Sequence, residues 1–143
     1  MINTRDFYIN GAWVKPAVPH DFDVIDPATE EACAVISMGS KADVNKAVAA
    51  AKAAFPGWAA TPLEQRLALM EKLDVIQNAR NAEMGEAVSL ELGAPIDFAS
   101  GDQAGCGPWH MGGFLKAARE FHWETKFSDQ EIIVREPDRK SVV

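Results

Sequence analysis

The chain has 143 residues, with 14 Lys plus Arg against 21 Asp plus Glu and a formal net charge of -7. That length, with 48% hydrophobic and 24% charged residues, describes one globular domain with enough apolar surface for a core, and it excludes a disordered polymer. The acidic balance argues against nucleic acid as a partner. No apolar run approaches the ~18 residues of a membrane span, so the expectation is a cytoplasmic protein with no membrane partner.

The first forty residues read as short strands punctuated by turns. Phe7-Tyr8-Ile9 runs into Asn10-Gly11 and then Trp13-Val14; Asn-Gly between apolar runs predicts a hairpin closed by a type I′ turn, because both residues tolerate positive φ. Val18-Pro19-His20 breaks this ribbon. Phe22-Asp23-Val24-Ile25 predicts a second strand, closed by Asp26-Pro27-Ala28-Thr29, and Cys33 to Ile36 a third apolar run that stops at Gly39-Ser40.

Helical spacing starts at Ser40. Asp43, three places on, resembles a capping box and sets a carboxylate at the positive end of the helix. Val44, Ala47, Val48, Ala51, Ala54, Phe55 and Trp58 then recur at helical intervals, and Pro56-Gly57 predicts the stop. Thr61-Pro62-Leu63-Glu64 predicts the next start, with Thr61 as cap, Pro62 at the first helical position and Glu64 completing a box. Leu67, Met70, Leu73, Ile76 and Ala79 form its apolar face, and Asn78 and Asn81 bracket a break. A shorter helix over Ala82–Leu92 ends at Gly93-Ala94-Pro95. Between 96 and 122 a helical pattern is interrupted by Gly105-Cys106-Gly107-Pro108, which predicts a kink or two helices meeting near Gly107. Phe114, Ala118 and Phe121 share a face, with Trp109 and Leu115 beside it. Strand character returns at Ile132-Ile133-Val134, followed by a Glu136-Pro137-Asp138-Arg139 turn and Ser141-Val142-Val143. Ending inside an apolar run, the sequence reads as part of something longer.

The residue types that carry chemistry are scattered. Cys106 precedes His110 by four positions, but Pro108 between them disturbs simple helical geometry, so a buried structural thiol is the better reading than a nucleophile. Cys33 lies in a strand-like run and reads as a small hydrophobe. His20, His110 and His122 lack metal-ligand spacing, and Glu83, Glu86, Glu91, Asp97 and Asp102 read as solvated helix faces. Neither Gly105-Cys106-Gly107 nor Gly112-Gly113 follows a strand as a phosphate-cradling turn does; both read as close helix packing or a kink. Trp13, Trp58, Trp109 and Trp123 read as buried anchors. No catalytic, cofactor-binding or metal-ligating residue is expected.

Several segments, taken together and in order, resemble the N-terminal portion of the NAD(P)-dependent aldehyde dehydrogenase superfamily. Phe7 to Val14 is similar to that family's opening hairpin. Asp26-Pro27-Ala28-Thr29-Glu30-Glu31 resembles its Asn-Pro-Ala-Thr-Gly-Glu turn, with Asp for Asn and Glu for Gly. Asp43-Val44 through Trp58 matches the following helix, and Arg66 with Leu67 and Leu73 the next one. Leu90-Glu91-Leu92-Gly93-Ala94-Pro95 resembles the Glu-x-Gly-x-Pro stretch, and Arg135-Glu136-Pro137 the Arg-Glu-Pro run, from which Asp138 departs.

The resemblance implies an α/β fold in which short β-hairpins and packed helices precede a C-terminal β-arm, with the central nucleotide-binding sheet missing. It divides residues 1–143 into an opening β-hairpin region (1–39), a helical region (40–122) and the start of the β-arm (127–143). A complete family enzyme oxidises an aldehyde to a carboxylic acid with NAD or NADP through a cysteine thiohemiacetal. The motifs for that nucleophile, its general base and the nucleotide do not occur in 1–143, so this portion is expected to bind no cofactor and to be inactive alone. Its expected partners are the remainder of such a chain or a second copy of itself in a homo-oligomer. A structural or protein-interaction module that retained only the helical part is the alternative.

Overall fold

Asn10 and Gly11 hold φ at 55° and 78° and close the opening hairpin, in which β2 (Phe7–Ile9) pairs antiparallel with β3 (Ala12–Val14). This is a feature of a computed structural model of the chain, which describes residues 2–136. β4 (Asp21–Asp26) and β5 (Glu31–Ser37) form a second antiparallel pair, with a bulge between Val24 and Ile25. β1 (Ile2–Thr4), a strand that the sequence pattern does not predict, adds to β5 in parallel, giving a three-stranded sheet of order β1-β5-β4. The Thr4 hydroxyl donates to the Val35 carbonyl at 3.2 Å across that pairing.

The helices follow. In α1 (Lys41–Ala59), Ser40 and Asp43 make the full reciprocal capping box. The helix does not stop at Pro56: proline removes one backbone donor, yet the helix runs on to Ala59, and the Ala60 amide still bonds the Pro56 carbonyl at 3.2 Å. The expected start of α2 (Leu63–Ala79) is also corrected. The Thr61 hydroxyl turns back to the Gly57 carbonyl, 3.0 Å away, so it closes α1, while Pro62 occupies the cap position without a side-chain bond and no box with Glu64 forms.

Only Arg80 separates α2 from α3 (Asn81–Leu92), which ends at Gly93 in the left-handed conformation, φ 74°. After α4 (Ile96–Phe98), residues Ala99–Gln103 make a π-helical turn, closed by the Ala104 amide on the Ala99 carbonyl at 2.8 Å. This wider turn is the physical form of the expected kink: a Cβ on Gly105 would lie 2.1 Å from the Gly101 carbonyl oxygen. Pro108 then falls in the first turn of α5 (Cys106–Glu120), where a missing donor leaves no helical bond unmade. A last hairpin pairs β6 (Glu124–Lys126) with β7 (Ile132–Val134) in antiparallel register. It begins three residues before the expected start of the arm; the expected turn from Glu136 and strand at Val142-Val143 lie largely outside the described residues.

Two small cores hold these pieces. Leu67 of α2 meets Leu115 and Ala118 of α5, with Leu63, Met70 and Met111 packed around them. Ile9, Ala34 and Val35 are buried at the strands, and Ala99 and Ala104 at the π turn. The expectation of buried tryptophans is overturned: Trp13, Trp58, Trp109 and Trp123 all remain exposed, Trp109 at 75%. The elements around them are too few to enclose an indole. No helix among the described residues is long and apolar enough to cross a membrane.

Candidate functional site

The apolar stripe of α2 is interrupted by one cation, Arg66, one turn after Leu63 and one turn before Met70. That spacing places the guanidinium on the face that meets α5. Here α2, α5 and the segment around β6–β7 enclose an open groove of about 480 Å³, walled by Leu63, Leu67, Met70, Phe114 and Ala118, with Trp58 at one side. The Arg66 guanidinium carbon lies 5.9 Å from the centre of the Trp123 ring, within cation–π range. Phe121 meets Trp123 edge to face at 4.8 Å, and Arg135 covers the Phe121 ring at 5.5 Å. Arg135 is itself anchored, donating from Nη1 to the His122 carbonyl at 3.0 Å and to the Thr125 hydroxyl at 3.1 Å. Arg119 on α5 pairs with Glu71 on α2 and fixes the two helices beside the groove.

A second groove, of about 590 Å³, opens where the end of α2, α3, the π turn and the start of α5 meet. Its apolar wall includes Leu73, Ile76, Met84 and Val88; its polar wall carries the amides of Gln77, Asn81 and Gln103, whose buried oxygens have no hydrogen-bond partner among the described residues. Asn81 donates through its Nδ2 to the Ser100 carbonyl at 2.8 Å, which turns its oxygen away from that bond. Arg80 and Glu83 pair at 2.9 Å on the rim, and the hydrogen bond from Arg80 holds the Glu83 carboxyl below its usual range. Cys106 reaches this groove as the first residue of α5. It is exposed, which corrects the expected buried thiol: Gly105 and Gly107 flank it and supply no side chain to cover it.

His110 lies four residues on and sets its ring edge-on against Trp109 at 4.7 Å. Cys33 is half-buried, its thiol directed at the Val24 carbonyl 3.3 Å away. Among the described residues no group of three or more His, Cys, Asp or Glu gathers around a common point suited to a metal ion. Glu83, Glu86, Glu91, Asp97 and Asp102 are exposed, as solvated faces require. Gly112 and Gly113 border open space, so close packing does not explain them, whereas Gly105 does sit at the kink. The groove around Arg66 and Trp123 had one visible signal in sequence, a cation set into a periodic apolar stripe. The aromatic partner it covers had none.

A family model described as the aldehyde dehydrogenase family matches residues 13–138. The chain is 38% identical over 141 residues to a 3-succinoylsemialdehyde-pyridine dehydrogenase of a Pseudomonas species, an alignment that covers 96% of this chain and 29% of that protein. The crystal structure of an aldehyde dehydrogenase from Bartonella henselae superposes with a TM-score of 0.88 at 46% identity, over 92% of this chain and 28% of that one. An aldehyde dehydrogenase C from Pseudomonas syringae, solved with NAD+ and octanal, gives 0.85 at 36% identity over 87% of this chain and 26% of that one. The chain thus spans less than a third of the length of the relatives it matches.

Proposed function

The chain belongs to the aldehyde dehydrogenase family, and from that premise we propose that it is the N-terminal scaffold of an enzyme that oxidises an aldehyde to a carboxylic acid with NAD or NADP. In this reading the reaction runs through a cysteine supplied by the polypeptide that follows the matched part in the relatives. A thiolate there would add to the aldehyde carbonyl to give the thiohemiacetal, and a bound NAD or NADP would supply the hydride acceptor; no residue of 1–143 is assigned to hold either group. The scaffold's part is packing and assembly. The observation that carries this is the state of α2 and α5: they meet in a core of a few side chains, while Trp58, Leu73, Ile76, Phe114 and Phe121 stay exposed on two open grooves. A self-sufficient domain of this size buries such side chains.

The test is an assay of the purified chain with NAD or NADP and a panel of short aliphatic and aromatic aldehydes, following absorbance of the reduced nicotinamide. No turnover is expected. Turnover that disappears in C106A would overturn the reading and make the exposed thiol a nucleophile.

A further inference from the structure

Arg66 presents a buried donor with nowhere to give its proton: its Nε has no acceptor among the described residues, although the side chain sits in the wall of the open apolar groove between α2 and α5. Buried donors are satisfied in completed structures, so an orphan here marks a position where an acceptor arrives from outside these residues. The guanidinium carbon also lies 5.9 Å from the centre of the Trp123 ring, a contact that favours this orientation.

We propose that the groove walled by α2, α5 and the β6–β7 segment is the seat of one specific element: an acceptor-bearing apolar segment of the catalytic polypeptide that follows the matched part in the relatives. An apolar side chain of that segment fills the space between Trp58, Leu67, Met70 and Phe114, and a main-chain carbonyl beside it accepts the Arg66 Nε–H. The proposal rests on the family-scaffold reading. Three observations select this occupant. Arg66 and Arg135 make the polar edge of the groove cationic, so it favours carbonyl or carboxylate oxygen over another donor. The relatives carry more than two thirds of their length beyond the matched part, which supplies the covering surface. And β7 leads to Arg135, which itself stands in the wall of this same groove.

The experiment uses the full 143-residue chain and the separately expressed remainder of the Bartonella henselae enzyme, the part not matched by this chain. Sedimentation equilibrium is expected to show a one-to-one complex, with the tryptophan emission of the 143-residue chain shifting to the blue as Trp58 and Trp123 are covered. R66M is expected to weaken the complex by about tenfold or more, the loss of a charge-assisted hydrogen bond, R66K by less, and the exposed control K116M not at all. A complex formed equally well by R66M overturns the proposal. A covalent fusion of the chain to the same remainder gives a second measurement: R66M is expected to lower its melting temperature and R66K to restore part of the loss. Equal melting of R66M and the parent fusion overturns the proposal, as does a parent chain that neither binds the remainder nor folds when fused to it. A fusion with an Arg66-dependent melt but no aldehyde oxidation leaves the seat standing and counts against the functional reading instead.

Discussion

The Glu30 amide donates to the Asp26 carbonyl at 2.8 Å, and to reach it Glu30 holds φ at 59°, in the left-handed region. The Asp26 side chain assists by accepting the Ala28 amide at 2.8 Å, so the turn between β4 and β5 is fixed from both ends. A side chain with a Cβ is disfavoured in that region by about 1–2 kcal/mol, and glycine is not. This is the position at which the family turn carries glycine and this chain carries glutamate. Glu30 is exposed, and its side chain makes no hydrogen bond or ion pair among the described residues. E30G is therefore expected to stabilise the chain by about 1 kcal/mol after the greater freedom of glycine in the unfolded state is subtracted. A urea titration read by circular dichroism checks it; an unchanged or lowered midpoint would show that the turn is not strained.

The same turn touches α3 from outside. A Cβ on Gly93 would stand 2.7 Å from Cγ of Pro27, and Gly93 already holds φ at 74° as the C-terminal cap of α3. Conformation and contact both oppose a side chain there. G93A is expected to destabilise by about 1–2 kcal/mol from the backbone alone, with more from the contact. In the double variant P27A/G93A the contact part should be recovered and the backbone part should remain. Full additivity of the two single changes would mean that Pro27 and Gly93 are not coupled.

How far the fold could be read from sequence varies by element, and the reason is local against distant control. Asn10-Gly11, Ser40 with Asp43, and Gly93 before Pro95 each act within four residues, so their geometry follows from residue chemistry. Pro56 and Thr61 misled because one missing donor costs a helix less than the neighbouring bonds from Ala60 and Thr61 return. The tryptophans misled for a different reason. An indole on a helical face reads as core only if a partner surface exists, and the chain contributes too few elements to provide one. The candidate groove was half legible: Arg66 stands out within the stripe Leu63, Leu67, Met70, but its contact with Trp123, beyond α5, depends on tertiary placement.

Asp43 gives the fold an acid-sensitive tie. Its carboxylate accepts the Ala17 amide at 2.9 Å and the Ser40 amide at 2.9 Å, and the Ser40 hydroxyl donates to it at 2.7 Å. The Ser40 hydroxyl, then the Ala17 and Ser40 amides, hold this carboxyl below the usual aspartate range. A depressed folded pKa contributes stability that is present above the unfolded value and lost as pH falls through the folded one. The parent chain should therefore be more stable than D43N at neutral pH, and the gap should close below about pH 4. Melts of both proteins from pH 7 to pH 2 read out the difference, which isolates Asp43 from Asp21 and Glu83, whose partners also lower them. A gap that persists at pH 2 would assign the effect to packing instead of charge.

The exposed apolar faces predict how the chain behaves alone. The stripe of α1 points outward with Val44 and Trp58 about half exposed, Val75 of α2 is 67% exposed, and both strands of the β6–β7 hairpin are exposed throughout. Each few hundred Å² of apolar surface removed from water favours association by several kcal/mol at about 25 cal/mol per Å², before the entropic cost of joining two chains. β7, with Ile132, Ile133 and Val134, adds the hazard of a short apolar strand paired with one neighbour, β6, among the described residues. The isolated chain is therefore expected to self-associate or to remain loosely packed. Size exclusion with light scattering over a dilution series, near-ultraviolet circular dichroism and a thermal melt read both properties. I133K is expected to reduce association while leaving the far-ultraviolet spectrum unchanged, because a lysine on an exposed strand opposes further pairing. A monodisperse 15.5 kDa species with sharp aromatic dichroism and a cooperative melt would reject the expectation and favour a self-sufficient module.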